Sequence, residues 1–129
     1  MNHPLMIAAR KAAQMAYCPY SHFHVGAAVY CDDGTIVQGC NVENASYGLT
    51  ICAERTAIFS AIAQGKKPVE IAVSCIDSTE EMPDTLKTPC GACRQVIAEF
   101  LPDQACVHID GVGTMTVGEL LPIAFRLAL

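Results

Sequence analysis

Basic residues are scarce in this chain: eight Lys and Arg against thirteen Asp and Glu among 129 residues, for a formal charge of −5 and a pI near 5.2. The eight do not cluster. A protein that grips DNA or RNA needs grouped cations to displace counterions, so the composition argues against a polynucleotide partner. Charge of either sign is low, at 16% of residues, below the usual quarter. Such a chain has trouble clothing its surface in charge, and part of that surface is expected to be buried between subunits. No apolar run approaches a membrane span, and there is no linker or low-complexity segment. The first twenty residues, MNHPLMIAARKAAQMAYCPY, lack a basic start followed by an apolar block. Arg10 and Lys11 fall where a leader would be most hydrophobic. The expectation is a cytoplasmic protein without a membrane partner, whose thiols stay reduced.

What the chain does have is apolar content, 52% of residues, enough over residues 1–129 for one domain with a single core. Residues 4–16, PLMIAARKAAQMA, show helical spacing, with Pro4 suited to a first helical position and Pro19 beyond the end. VGAAVYC and TIVQGCN flank the turn signal DDG and predict a β-hairpin. Residues 52–64 place Ala57, Ile58, Ala61 and Ile62 on one helical face, with Gly65 as a stop. VEIAVSCI, residues 69–76, is a continuous apolar run of the kind a buried central strand shows. A polar loop, DSTEEMPDTL, follows. Thr88 and Pro89 predict the cap and first turn of a third helix running to about Phe100. ACVHID is a fourth strand, and Thr116 to Glu119 has the capping-box pattern of a short last helix. Together these elements make an α/β sandwich with a mixed sheet.

Eight cysteines fall short of the density of a disulfide scaffold. The stretch TPCGACRQ sets Cys90 and Cys93 at i and i+3, one face of a helix. Alone, that pair fits a redox dithiol, half of a zinc site or two core cysteines. The second helix start, ICAERTAIF, adds Cys52 and, two residues on, Glu54. One ligand, a nearby carboxylate that is not a ligand, and a downstream Pro-Cys-x-x-Cys is the pattern of zinc nucleobase deaminases. Three thiolates leave tetrahedral zinc one open position, as in catalytic rather than structural sites. A water at that position ionises near neutral pH. Residues i and i+2 of a regular helix diverge, so Cys52 and Glu54 can converge only if Cys52 stands at the very start of its helix. There, as at Cys90, the helix dipole favours thiolate. The plain reading of Glu54 is a first-turn glutamate answering the same dipole.

Four segments in one order, PYSHFHVGAA (19–28), GCNVENASY (39–47), CAERTA (52–57) and PCGACRQVI (89–97), resemble the small homotetrameric cytidine deaminases. The resemblance spans Pro19 to Phe125. It implies a three-layer α/β/α sandwich with a mixed, roughly five-stranded sheet. It implies one zinc per chain on Cys52, Cys90 and Cys93, with Glu54 as proton shuttle and Arg55 hydrogen-bonding the ligand sulfurs to withdraw some of their charge. Asn41 and Glu43 would bind the ribose 3′-hydroxyl, Phe23 would pack on the base, and the Ala53 N–H would meet the pyrimidine carbonyl. Tyr47 and Phe125 would reach a neighbouring subunit's pocket, Phe125 by stacking on the base. The implied activity is hydrolytic deamination of cytidine and 2′-deoxycytidine in pyrimidine salvage.

Rival readings are a deaminase of modified or antibiotic cytosine nucleosides, a structural zinc module closed by Cys40 or Cys75, and a polynucleotide editor, which the charge disfavours. Glu54 has no use in a structural site. His22, His24 and His108 read as strand residues without ligand spacing. Cys18, Cys31, Cys40, Cys75 and Cys106 read as small core hydrophobes. Two departures from the family bear on the pocket rim. The loop from Asp77 to Lys87 looks long, and only four residues follow Phe125.

Overall fold

The computed structural model describes residues 3–128. Helix α1 (Pro4–Ala13) is followed by strands β1 (Val25–Cys31) and β2 (Ile36–Cys40), helix α2 (Ala53–Ala63) and strand β3 (Pro68–Cys75). Helix α3 (Gly91–Phe100), strands β4 (Cys106–Ile109) and β5 (Gly113–Thr116), and the single turn α4 (Val117–Leu120) complete the chain. The sheet order is β2-β1-β3-β4-β5, antiparallel except for the β3–β4 pair. None of the helices described is long and apolar enough to cross a membrane.

Alternation along the central strands sends side chains to two different layers. From β1 and β3, Ala27, Val29, Ile71 and Val73 enter the main core beneath α2 and α3. Ala28 and Ala72, on the opposite face, pack with Leu5, Met6 and Ala9 of α1. Burial on both faces explains why VGAAVYC and VEIAVSCI read as continuous apolar runs. Tight contacts fix the helices in place. A Cβ at Gly26 would lie 2.0 Å from the Ala9 carbonyl oxygen, and one at Gly39 would lie 2.3 Å from the Ala57 nitrogen. Only glycine lets α1 and α2 approach so closely.

The structure corrects several sequence-level expectations. Helix α1 stops at Ala13 rather than Ala16, because Tyr17 pairs with the chain beyond β2: its N–H donates to Asn41 O, and its carbonyl accepts from Glu43 N. The cap of α3 is Cys90, not Thr88, whose hydroxyl instead reaches back to Thr85 O. Ile62 is exposed, outside the buried stripe of α2. His22 and His24 lie in the irregular segment before β1, His22 with φ of 58°, while His108 does lie in β4. Cys40 and Cys106 are only half-buried. Strand β5, GTMT, lacks the apolar alternation that would announce a strand. The Thr116 capping box is formed, with Thr116 Oγ1 accepting from Glu119 N and Glu119 Oε1 accepting from Thr116 N.

Arg10 in the last turn of α1 donates from Nε and Nη2 to Asp110, at 2.7 and 2.8 Å, and Ser74 Oγ adds a third bond at 2.7 Å. The Arg10 hydrogen bonds hold the Asp110 carboxyl below its usual range. Because its folded pKa is depressed, the contribution is complete above the unfolded carboxyl value of about 3.9 and is lost as pH falls through the lower folded value. Asp110→Asn is therefore expected to lose about 2 kcal/mol near neutral pH. Urea titrations across pH should show this gap narrowing below about pH 4. A gap independent of pH would show that the pair's charge contributes nothing.

Candidate active site

Strands β2 and β3 run in the same direction, since each is antiparallel to β1. The segments that follow them lead into α2 and α3, whose first residues therefore meet at one edge of the sheet. Cys52 is the N-cap of α2, with extended backbone (φ −74°, ψ 156°), and Cys90 is the N-cap of α3 (φ −68°, ψ 170°). Neither side chain caps its own helix, so both sulfurs are free to face elsewhere. Cys93 lies one turn into α3 and is buried. The sulfur separations are 3.9 Å for Cys52–Cys90 and 3.5 Å for Cys90–Cys93, and all three Sγ atoms lie within 4.8 Å of one another. Tetrahedral zinc with Zn–S bonds of about 2.3 Å sets its sulfurs about 3.8 Å apart. The three thiols are spaced for one such ion. Among the described residues neither Cys40 nor Cys75 joins this cluster, so the closed four-thiolate site is not formed.

The protons of the cluster are unequally held. Hydrogen bonding from Cys93, supported by Arg55 and Cys90, draws the Cys52 thiol down to about 5 against the opposing effect of burial. Cys93, as donor, is pushed far up by the same bond and by its own burial. Arg55 Nη2 donates to Cys52 Sγ at 3.5 Å, while its buried Nε has no hydrogen-bond partner among the described residues. Coordination deprotonates thiols, and three thiolates would give that unpaired N–H the negative charge it lacks. Arg94 secures the Cys90 side, donating from Nε to Pro89 O and from Nη1 to Leu120 O.

Glu54, in the first turn of α2, is only 5% exposed. Burial raises its carboxyl to about 7, with the neighbouring Cys52 acting in the same direction. It does not belong to the metal-spaced group. Instead it lines a cavity of about 190 Å³ together with Phe23, Asn41, Cys52, Ala53 and Cys90. Ala53 opens α2, where the first N–H groups have no intrahelical acceptor. Asn41 is tied to the approach of β1, its Oδ1 accepting from Val25 N and its Nδ2 donating to Phe23 O.

Glu43 lies in an adjoining hollow of about 330 Å³ with Tyr20, Ser21, Asn44 and Tyr47. Thr50 lines both spaces. The Glu43 carboxylate accepts from the Ser21 hydroxyl and from the Tyr20 and Ser21 N–H groups, and these bonds, the hydroxyl foremost, lower its pKa. Tyr47, on a short 3₁₀ turn, sits edge-on to Tyr20. Phe125 is not brought to this site: it lines neither space and is 69% exposed.

Two cavity residues escape a reading of the sequence. Cys75 was expected in the core, yet it lines the cavity, and burial pushes its thiol up to about 12. Its place at the end of an apolar strand signalled burial but not this neighbour. Lys87, only 6% exposed, also lines the cavity. A lysine just ahead of TPCGAC in a cation-poor chain was the available signal. Leu86 and Thr88 join it, so the end of the long loop does shape the pocket wall.

An open-sided three-thiolate position beside a buried carboxylate is the centre of a zinc-dependent hydrolase. Residues 1–109 match the cytidine and deoxycytidylate deaminase zinc-binding region. A cytidine deaminase of Halalkalibacterium halodurans is 46% identical over 119 residues, covering 89% of this chain and 86% of that protein. The crystal structure of a cytidine deaminase from Burkholderia pseudomallei superposes with a TM-score of 0.86 at 47% identity, covering 97% of this chain and 99% of the other. At greater distance, a blasticidin-S deaminase of Bacillus cereus is 32% identical over 127 residues, 94% of this chain and 89% of its own. The chain belongs to the cytidine deaminase family.

Metal analysis should find one zinc per chain in freshly purified protein. Cys93→Ala, which removes one of three protein ligands, is expected to lose it, while Glu54→Ala should retain it. Zinc loss in the Glu54 variant would make that carboxylate a ligand.

Proposed function

We propose that the protein hydrolytically deaminates cytidine and 2′-deoxycytidine to uridine and 2′-deoxyuridine with release of ammonia, as a cytoplasmic step of pyrimidine salvage. The observation that carries this reading is the buried Glu54 carboxyl, set in one cavity with Cys52 and Cys90. Cys52, Cys90 and Cys93 would hold the zinc ion, which when bound would supply an activated water. Glu54, with a pKa raised to about 7, is suited to accept a proton near neutral pH and release it again. It takes one proton from the attacking water and passes it to the ring nitrogen, then takes the second from the hydroxyl now bound to the ring carbon and passes it to the amine, which departs as ammonia. Arg55 withdraws charge from the Cys52 sulfur, which offsets the excess of three thiolates over a doubly charged ion.

The inner cavity takes the base, with Phe23 against the ring and the Ala53 N–H toward its carbonyl. The adjoining hollow takes the sugar, with Asn41 and Glu43 holding the 3′-hydroxyl. Asn41 keeps capacity for this, since an amide group has two donors and two lone pairs and only one of each is in use. The second reading, a deaminase of antibiotic cytosine nucleosides, draws on the likeness to the blasticidin-S deaminase. Ammonia release across cytidine, deoxycytidine, cytosine, 5-substituted cytidines and blasticidin S separates the two. Cytidine and deoxycytidine should lead, with Glu54→Ala lowering turnover by at least about 10³-fold. Near-normal turnover in that variant would end the shuttle role.

Sugar contacts remote from the reacting carbon help position the ring. Glu43→Ala and Asn41→Ala should therefore lower kcat/KM for cytidine much more than for 3′-deoxycytidine. Equal penalties would rule out contact with the 3′-hydroxyl.

The same reading makes the protein a homotetramer with shared sites. Tyr47, Leu49, Phe59, Phe125 and Leu127 are exposed apolar side chains on a chain poor in charge, the kind of surface that association covers. Phe125 completes a neighbour's pocket by stacking on its base, and Tyr47 reaches across as well. Co-expressed Phe125→Ala and Glu54→Ala chains should then form mixed oligomers with activity that neither shows alone. Verified mixed oligomers without regained activity, or a monomer in solution, would overturn the shared site.

A further inference from the structure

Helix α1 is held to the sheet by polar side chains at both ends, and the two attachments differ in chemistry. Near its C-terminus stands the Arg10–Asp110 ion pair. At its start, His3 meets Glu70 of β3 and His108 of β4, three residues that have no part in the site above.

The register explains the meeting. Ala72 packs with α1 and pairs with His108, so Glu70, two residues before Ala72, and His108 project on the α1 side of the sheet. His108 Nε2 is hydrogen-bonded to Glu70 Oε2, and His3 Nε2 lies 4.0 Å from the same oxygen. The imidazole rings are stacked, with centroids 5.1 Å apart. One ligand atom from each residue falls within a common span of 4.8 Å.

We propose that His3, Glu70 and His108 form a second metal site, for a borderline divalent transition ion such as Zn²⁺, which clamps the start of α1 to β3 and β4. Two imidazoles and one carboxylate suit such ions and not Ca²⁺ or Mg²⁺, which prefer all-oxygen sets. His108 Nδ1 contacts Thr114 Oγ1 at 2.8 Å. Ligation through Nε2 displaces the proton that Nε2 donates to Glu70, and Nδ1–H then donates to that hydroxyl, the outer contact that metal-binding imidazoles commonly have. His3 Nδ1 accepts from Leu5 N at 3.1 Å; ligation through Nε2 moves its proton to Nδ1 and gives up this one cap bond. Bonds of about 2.0–2.1 Å place tetrahedral ligand atoms roughly 3.3 Å apart, so the His108–Glu70 pair opens and His3 draws in by roughly 0.7 Å. A hollow of about 200 Å³, lined by His3, Pro4, Leu5, Tyr30, Ile36 and Glu70, leaves room for water in the remaining positions.

The test is titration of the zinc-loaded, reduced protein with Co²⁺, while zinc content is measured in parallel. The expected result is one further ion per chain, with weak visible absorption and without the intense near-ultraviolet bands of thiolate ligation, and zinc unchanged at one per chain. His108→Gln and His3→Gln should each raise the Co²⁺ Kd by about tenfold or more. His3→Gln alters an exposed helix start and keeps the test valid if His108→Gln folds poorly. No ion beyond the zinc at millimolar Co²⁺, a second ion with thiolate absorption, or equal binding by the His3 variant would overturn the proposal. Cytidine turnover should be the same in wild type and both variants, which separates this site from the Cys52 centre.

Discussion

Strands β2 and β3 point the same way because β1 lies between them and is antiparallel to both. Everything at the site follows from that constraint. The segments after β2 and β3 must leave from one edge of the sheet, so the starts of α2 and α3 converge there, and β1 enters at the same edge with Phe23 and Val25. Cys52 and Cys90 hold equivalent cap positions on the two helices. The starts of both helices thus bring their first N–H groups to a common point. Ligand binding beyond the carboxyl ends of neighbouring strands is a general property of α/β sheets. Here the convergence is tight enough that Gly39 cannot carry a side chain without striking α2.

Charge balance governs the chemistry of the cavity. With zinc bound, three thiolates and the Glu54 carboxylate would gather at one point, where like charges raise one another's pKa. Zinc would oppose that negative charge, and Arg55 reaches the Cys52 sulfur from within α2, one turn on from its cap. Lys87 lines the cavity wall just ahead of the Cys90 motif. Glu54 stands outside the metal-spaced sulfur cluster. Burial lifts its carboxyl to about 7, which suits the proton-shuttle role proposed for it.

The opposite face of the sheet is a separate structural problem. Helix α1 has a small apolar contact, through Leu5, Met6 and Ala9, and is fastened at each end by polar groups from β3 and β4. Glutamate and serine of β3, histidine of β4 and the aspartate just beyond β4 thus lie on the α1 side, where a larger helix would call for aliphatic residues. Strand alternation therefore serves two purposes in one sheet: a closed core on the side of the zinc site, and a thin, polar-edged layer on the other.

Much of this was legible in the chain itself, because local rules acted alone. Apolar spacing marked α1, α2 and the central strands, and the Thr116 to Glu119 cap formed as written. The i/i+2 spacing of Cys52 and Glu54 required Cys52 to stand outside regular helix geometry, and its extended backbone satisfies that requirement. The motif order carried the family. Contacts between distant segments were not legible. Tyr17 pairs with the chain after β2 and so ends α1 early; Cys75 and Lys87 enter the cavity because β3 and the long loop end where α3 begins. His3, Glu70 and His108 meet only through strand register and helix packing. Sequence determined which residues prefer helix, strand or cap and which could bind a metal, since those preferences act over a few residues. Tertiary structure alone decided which of them share a space, since pairing across the sheet joins positions that lie far apart along the chain.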